Sequence, residues 1–498
     1  MGHCTNNRPP ILTGSQPGAQ VHSILLMLFP TVEFALFFVV VLTANWLLLP
    51  HRGRWKMFML GASYLFYGAW DWRFLGLIAG STVVNHVIAS AMAPVQDPAA
   101  RKRWVVGGIA ANLALLGWFK YYGFFASSLV NVFARLGIDL PVPLLQITLP
   151  VGISFFTFQA LSYVIDVYRG DEEPAELLDF AVYLAFFPQL VAGPIVRTSE
   201  FLPQLHSRRD PRNVEAPEAF ALIAAGLFKK VVVANTLATG LVDPVFANPA
   251  GYSSLEVLFA IYGYAVQIYC DFSGYTDIAI GVALLMGFRF PQNFDHPYRA
   301  ASLQEFWRRW HMTLSRWLRD YLYVPLGGSR GSRQATYRNL LLTMVLGGLW
   351  HGAAWTFVLW GLLHGGGLAI ERVLEERRAR AGSERVDTAA SLIGRRIATF
   401  HLVCLGWVFF RAESVGTAFS LLGRLFDFGP APTLTPALVG LIAGGIAIHH
   451  LPAHVRMRVR YYFVKLRPVP MALALGAVLL VVDGFGPEGV APFIYFQF

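Results

Sequence analysis

The residues of this chain that could do chemistry stand in unusual surroundings. His351 and His364 lie in "LTMVLGGLWHGAAWTFVLWGLLHGGGLAIE", which carries no Lys, Arg, Asp or Glu before its last residue. Near neutral pH an unprotonated imidazole can take the proton of a hydroxyl as its oxygen attacks a carbonyl, so a histidine placed here suits a general base in acyl transfer. It equally suits a packing residue that hydrogen-bonds a neighbouring helix, because an ionisable group in a bilayer needs a partner or a cavity. Gly347, Gly348 and Gly352 strip side chains from around His351, which admits either a substrate or a close helix. Trp350 would wall that space. His364 follows 13 residues later, roughly opposite His351 on an ideal helix, and is expected to make a different contact.

Two other groups invite a chemical reading. Asp271 and Asp277, in "YCDFSGYTDIAIG", would relay protons in a transporter or channel that used them with His351, or would cap a break in a helix. Their neighbour Cys270 suits a thioester carrier, although most buried cysteines are inert small hydrophobes. His311 falls in "SLQEFWRRWHMTLSRWLRDYLYVPLGG". There Leu303, Trp307, Trp310, Leu314, Trp317 and Tyr321 recur at helical spacing, while Arg308, Arg309, Arg316 and Arg319 lie off that stripe. The pattern predicts one amphipathic helix at the membrane interface, opened by a Ser302/Glu305 capping box and ended by Pro325–Gly328. His311 would sit at the edge of the stripe, placed to orient a substrate, stabilise an oxyanion or return a proton to a leaving group.

The elements that position these residues must be membrane helices. Of 498 residues 55% are hydrophobic and 14% charged, with a mean hydropathy of +0.50. Apolar runs near 20 residues recur along the chain, and with the shorter ones they predict roughly ten to twelve membrane segments, some re-entrant. The fold class is all-α and polytopic. No water-soluble stretch is long enough for a separate domain, so residues 21–498 read as one membrane domain behind a disordered polar leader, 1–20. No internal repeat is visible, which argues against many transporter architectures.

The net charge of +10 is not a nucleic-acid signature. The basic residues form short clusters between apolar runs, such as "HRGRWK", "RKRW" and "HVRMRVR", as cytoplasmic loops do under the positive-inside rule. Cys4, Cys270 and Cys404 make no disulfide framework and no CxxC site. The histidines of "HHLPAH" lack nearby carboxylates or cysteines, so no metal site and no permanently bound cofactor is expected. No small-residue cleavage site follows the first apolar run, and Gly2 lacks the Ser or Thr that a myristoylation signal needs at position 6.

Five blocks in order, "PVGISFFTFQALSYVIDVYRG", "FFPQLVAGPIVR", "YCDFSGYTDIAIGVALLMGFRFPQNFDHPY", "EFWRRWHMTLSRWLRDYLYVPLGG" and "GGLWHG", resemble the membrane-bound O-acyltransferase family, most closely its bacterial alginate O-acetyltransferase-like branch. The resemblance covers roughly residues 30–426. It implies a ring of spanning helices around a funnel or tunnel in the bacterial inner membrane, with membrane lipid around it. It matches His351 to the family's catalytic histidine and His311 to the second histidine of the branch; read from their own surroundings in the sequence, Trp310, Trp350 and Asp271 are the candidates for lining such a tunnel. It further implies an acyl thioester such as acetyl-CoA as donor, a polysaccharide or cell-wall glycan as acceptor, and a possible periplasmic acyltransferase or esterase-like partner. The terminal "PFIYFQF" suits a plug at the membrane interface, which its aromatic rings favour, or a docking peptide for a periplasmic partner.

Overall fold

A computed structural model describes residues 29–143, 145, 147–382 and 388–485. The leader 1–20 and the terminal "PFIYFQF" lie outside the described residues. Every regular element among the described residues is helical. Six helices are long and apolar enough to cross a bilayer: Arg52–Met92, Pro98–Arg135, Ala216–Ala247, Ser254–Leu285, Trp355–Arg380 and Ala389–Arg411. A seventh is added if Pro436–His450 and Ala453–Val464, which meet at 101°, form one broken span, and Val32–Leu48 and Pro468–Gly484 are shorter apolar helices.

The count falls below ten to twelve for two physical reasons. Arg52–Met92 has 41 residues, about 60 Å of helix, or twice the hydrocarbon thickness. It is interrupted at Asp71, whose backbone is extended (φ −157°, ψ 110°) and whose carboxylate accepts from the Arg73 N–H. Other apolar runs fold into elements too short or too polar to qualify alone, among them Ile153–Arg169 and Arg333–His351.

Ser254–Leu285 is the central post, with 83% of its apolar window buried against 11% for the peripheral Pro98–Arg135. It begins at a capping box in which Ser253 and Glu256 exchange hydrogen bonds, and the second Glu256 oxygen accepts from the Thr433 N–H at 3.0 Å. Close approach comes from small residues: a Cβ on Gly274 would lie 2.8 Å from the Gly226 carbonyl, and one on Gly226 would lie 2.6 Å from the Gly274 carbonyl. Helices Ala216–Leu227 and Ser254–Leu285 therefore cross on backbone, as membrane helices do when lipid supplies no hydrophobic drive for association. Farther out, Asn85 and Asn112 bond each other across two helices at 2.6 and 3.3 Å.

The amphipathic segment departs from its expected form. It is two short helices, Leu303–Trp307 and Met312–Leu318, followed by the wide turn Arg319–Tyr323. The break is at His311, in the left-handed region (φ 41°, ψ 56°), where non-glycine residues are rare. A neighbouring strand of chain causes it. The Asp295 N–H donates to the Arg309 carbonyl and the Met312 N–H to the Asn293 carbonyl, both at 2.9 Å, replacing helical hydrogen bonds on either side of the kink. The apolar stripe survives, with Leu303, Trp307, Trp310, Leu314, Trp317 and Tyr321 all buried. His311, by contrast, is turned inward and is wholly buried rather than held at the edge. Ser302 caps the first helix as expected (3.0 Å to the Glu305 N–H), but Glu305 reaches back to the Ala301 N–H instead of Ser302.

Candidate active site

His351 is the last residue of helix Arg333–His351, and the chain leaves the helix at Gly352 in extended conformation. The imidazole is buried among the rings of Trp350, Trp360 and Phe410, with centroids at 5.0, 5.2 and 5.2 Å. The His311 ring lies 6.5 Å away, centroid to centroid, and also packs on Phe272 at 4.7 Å and Trp350 at 6.1 Å. Residues 40 apart in sequence are thus brought into one aromatic chamber, His311 by its kink and His351 by the end of its helix.

The hydrogen bonds around His311 assign its tautomer. Asn293 Oδ1 accepts from the Thr313 N–H (3.2 Å) and the Thr313 hydroxyl (2.9 Å), so it is an oxygen, and the His311 Nδ1 3.1 Å from it must be the protonated nitrogen. Nε2 then carries the lone pair. It is buried and has no hydrogen-bond partner among the described residues.

The glycines beside His351 serve packing. A Cβ on Gly348 would overlap the Phe357 carbonyl, one on Gly352 would overlap the Phe357 ring, and one on Gly347 would meet Leu318 at 3.1 Å. They allow Trp355–Arg380 to fold back tightly on Arg333–His351, so the space they clear is filled by protein. His364, on that returning helix, packs against Trp307, Trp360 and Phe306 at 5.4, 4.8 and 6.2 Å, and Gly406 makes room for it. His364 thus shares the Trp360 ring with His351 and otherwise has its own partners.

Pockets open along helix Arg333–His351 and just beyond its end. Beside the middle of helix Arg333–His351 is a pocket of about 390 Å³ lined by Trp307, Arg308, Met312, Arg316, Arg319 and Met344. Beyond the end of the helix is one of about 750 Å³ lined by Phe124, Asn131, Arg135, Trp355, Thr356 and Glu413. A third, of about 90 Å³, is bounded by Lys120, Ser154, Phe155 and Trp350. Sequence reasoning missed Lys120, although a lysine in "LALLGWFKYYGFF" is an ionisable group in an apolar run and carried its own signal. Its ammonium donates to the Trp350 carbonyl at 2.6 Å and the His351 carbonyl at 3.1 Å.

A family model for the membrane-bound O-acyltransferase family matches residues 173–410, which include both histidines. The chain is 43% identical over 408 residues to the probable alginate O-acetylase AlgI of Azotobacter vinelandii, covering 81% of this chain and 79% of that protein. The chain belongs to the membrane-bound O-acyltransferase family. It is also 38% identical to the probable alginate O-acetylase AlgI of Pseudomonas putida (95% of this chain, 100% of that protein) and 36% identical to the peptidoglycan O-acetyltransferase of Helicobacter pylori (80% and 78%). It is therefore an acyltransferase and a multi-pass protein of the bacterial inner membrane.

The remaining candidates of this acyltransferase fall in separate places. Trp350 packs against both imidazoles, which also meet each other, and against Phe155 (5.4 Å) and Phe158 (5.2 Å). Trp310 packs one layer back, on Phe294 at 5.0 Å and Trp407 at 4.8 Å. Asp271 is buried in an ion pair with Lys230, and Asp277 meets Lys229 at 2.6 Å, so the two carboxylates of the rival proton path are each matched by a lysine. In the "HHLPAH" region His449 is buried between Tyr269 and Tyr298. Among the described residues no three of His, Cys, Asp and Glu gather as metal ligands.

Proposed function

We propose that this acyltransferase passes an acetyl group from acetyl-CoA, or a related acyl thioester, toward hydroxyls of an exported polysaccharide or cell-wall glycan, either directly or through a periplasmic partner that makes the final transfer. His351 is the general base. The hydroxyl oxygen attacks the thioester carbonyl, the carbon–sulfur bond breaks, and the proton taken by His351 passes to the departing thiolate. His311, with Nε2 open, orients the hydroxyl or the carbonyl oxygen, and Trp350 lines the site. Trp310 and Asp271 support it from behind.

The observation that carries this reading is the meeting of His311 and His351 in one aromatic chamber, with 6.5 Å between ring centroids, and two chemically different pockets lie along the helix that ends at His351. The one lined by Arg308, Arg316 and Arg319 suits a phosphorylated donor. Arg308 makes no ion pair among the described residues and is available to an anion. The other combines an exposed indole, Trp355, with Asn131, Arg135, Glu413 and serine hydroxyls, a lining suited to a sugar. The relatives named for alginate and peptidoglycan O-acetylation support the same class of acceptor.

The test uses inner-membrane vesicles containing the full chain, radiolabelled acetyl-CoA and deacetylated alginate. The expected result is free thiol released in step with label on the polysaccharide or on a membrane or periplasmic protein. Uptake of a solute or protons without consumption of acetyl-CoA would overturn the reading in favour of a transporter.

A further inference from the structure

A helix ends with four carbonyls that its own N–H groups cannot reach. In helix Arg333–His351 all four are accounted for. Gly348 accepts from the Gly352 N–H at 3.2 Å, and Leu349 from the Tyr121 hydroxyl at 2.9 Å. Trp350 and His351 accept from the Lys120 ammonium at 2.6 and 3.1 Å. Three of the four partners therefore come from two adjacent side chains on another helix. The third donor of the ammonium lies 3.4 Å from Ser154 Oγ, which ties in helix Ile153–Arg169 as well.

The backbone is shaped to deliver them. Lys120 and Tyr121 lie in the wide turn Gly117–Tyr121, inserted between helices Pro98–Leu116 and Tyr122–Arg135. Such one-turn expansions recur at functional sites, because the extra residue rotates neighbouring side chains out of the regular helical register. Here the rotation turns both polar groups inward from a helix whose flanking residues Trp118 and Phe125 are exposed.

We propose that Lys120 is a positioning residue of the transfer reaction: with Tyr121 it clamps the final turn of the helix that ends at His351, and so fixes where the imidazole stands relative to His311 and Trp350. This rests on His351 being the base. A helix end alone does not call for a cation brought into an apolar run, since glycine caps or water close carbonyls without that cost. The ammonium does more than a neutral cap would: it holds two consecutive carbonyls and a third element at once, against the negative end of the helix dipole. Backbone freedom at His351 would otherwise pass straight to the imidazole, because the next residue, Gly352, already leaves the helix. A displacement of about 1 Å in a reacting group can cost roughly 100-fold in rate.

Four variants of the full chain, in inner-membrane vesicles with labelled acetyl-CoA and deacetylated alginate, test the assignment. Lys120→Met keeps the length of the side chain and removes its donors. The expected result is a kcat about 100-fold lower with KM for acetyl-CoA changed less than about threefold. Lys120→Arg, which keeps the charge and the donors, is expected to recover kcat to within about tenfold of wild type. A cap that served folding alone would lower the amount of folded protein and leave kcat per folded molecule unchanged; that outcome, or wild-type kcat in Lys120→Met, overturns the proposal. If Lys120→Met does not insert, Tyr121→Phe decides, with kcat expected to fall about tenfold at unchanged KM and wild-type kcat contradicting the clamp. His351→Ala separates the two readings: full activity there removes the assignment of the base itself, whereas an inactive His351→Ala beside a fully active Lys120→Met removes only the clamp.

Discussion

Two regions of the bundle bury polar groups in opposite ways. In the turn Phe228–Ala234, consecutive lysines meet two carboxylates of the central helix: Lys230 pairs with Asp271, both buried, and Lys229 pairs with Asp277 and with Ser273 Oγ at 2.9 Å. In the histidine chamber, His311 Nε2, both nitrogens of His364 and the indole N–H groups of Trp307 and Trp360 are buried without a hydrogen-bond partner among the described residues. Each such group costs about 1–3 kcal/mol when left unmatched. Unmatched polar atoms also occur elsewhere among the described residues, at His449, Tyr264 and Gln267, so the contrast bears on the site through His311 Nε2, the atom that the proposed function gives to a substrate hydroxyl or carbonyl. The contrast also separates the two readings of the sequence, since the carboxylates that a proton path would need are in the matched region.

Substitutions in the two regions are expected to separate folding from turnover. The largest effect is expected from Lys230→Met, which removes the ammonium paired with the buried Asp271 carboxylate and should destabilise the fold by about 3–5 kcal/mol, read by denaturant unfolding of the purified protein. Adding Asp271→Leu should return most of that loss; a stable Lys230→Met protein that had lost acyl transfer would move the pair into the chemistry and erase the distinction. Next comes His311→Ala, expected to lower kcat about 100-fold per folded molecule, beyond the roughly 2–3 kcal/mol that truncating a wholly buried ring costs the fold. A loss confined to folding, with turnover per folded molecule unchanged, would instead make His311 a packing residue. The smallest effect belongs to His364→Phe, where an apolar ring replaces two unmatched nitrogens against Phe306 and Trp307. Turnover within about threefold of wild type and stability equal or slightly higher are expected, and a large loss of transfer would place His364 in the site beside His351.

What the sequence made legible follows from what its patterns report. Hydropathy reports burial against lipid, so the all-α membrane class was plain, as was the buried stripe from Leu303 to Tyr321. The kink at His311 was not, because its cause is a segment some 18 residues earlier: Asn293 bonds the backbone and side chain of Thr313, and no local pattern announces that. The glycines around His351 illustrate a second limit. Composition leaves open whether they admit a substrate or a helix, and only the position of Phe357 decides it. Lys120 differs from both, since its charge in an apolar run was a visible signal whose partner, the end of a helix some 230 residues later, was not.

The most direct test of the central claim is acyl transfer by His351→Ala in inner-membrane vesicles, measured as label moved from acetyl-CoA and normalised to inserted, folded protein. Normal insertion is expected, with transfer per folded molecule at the background of vesicles lacking the chain. Transfer at the wild-type rate would contradict the claim.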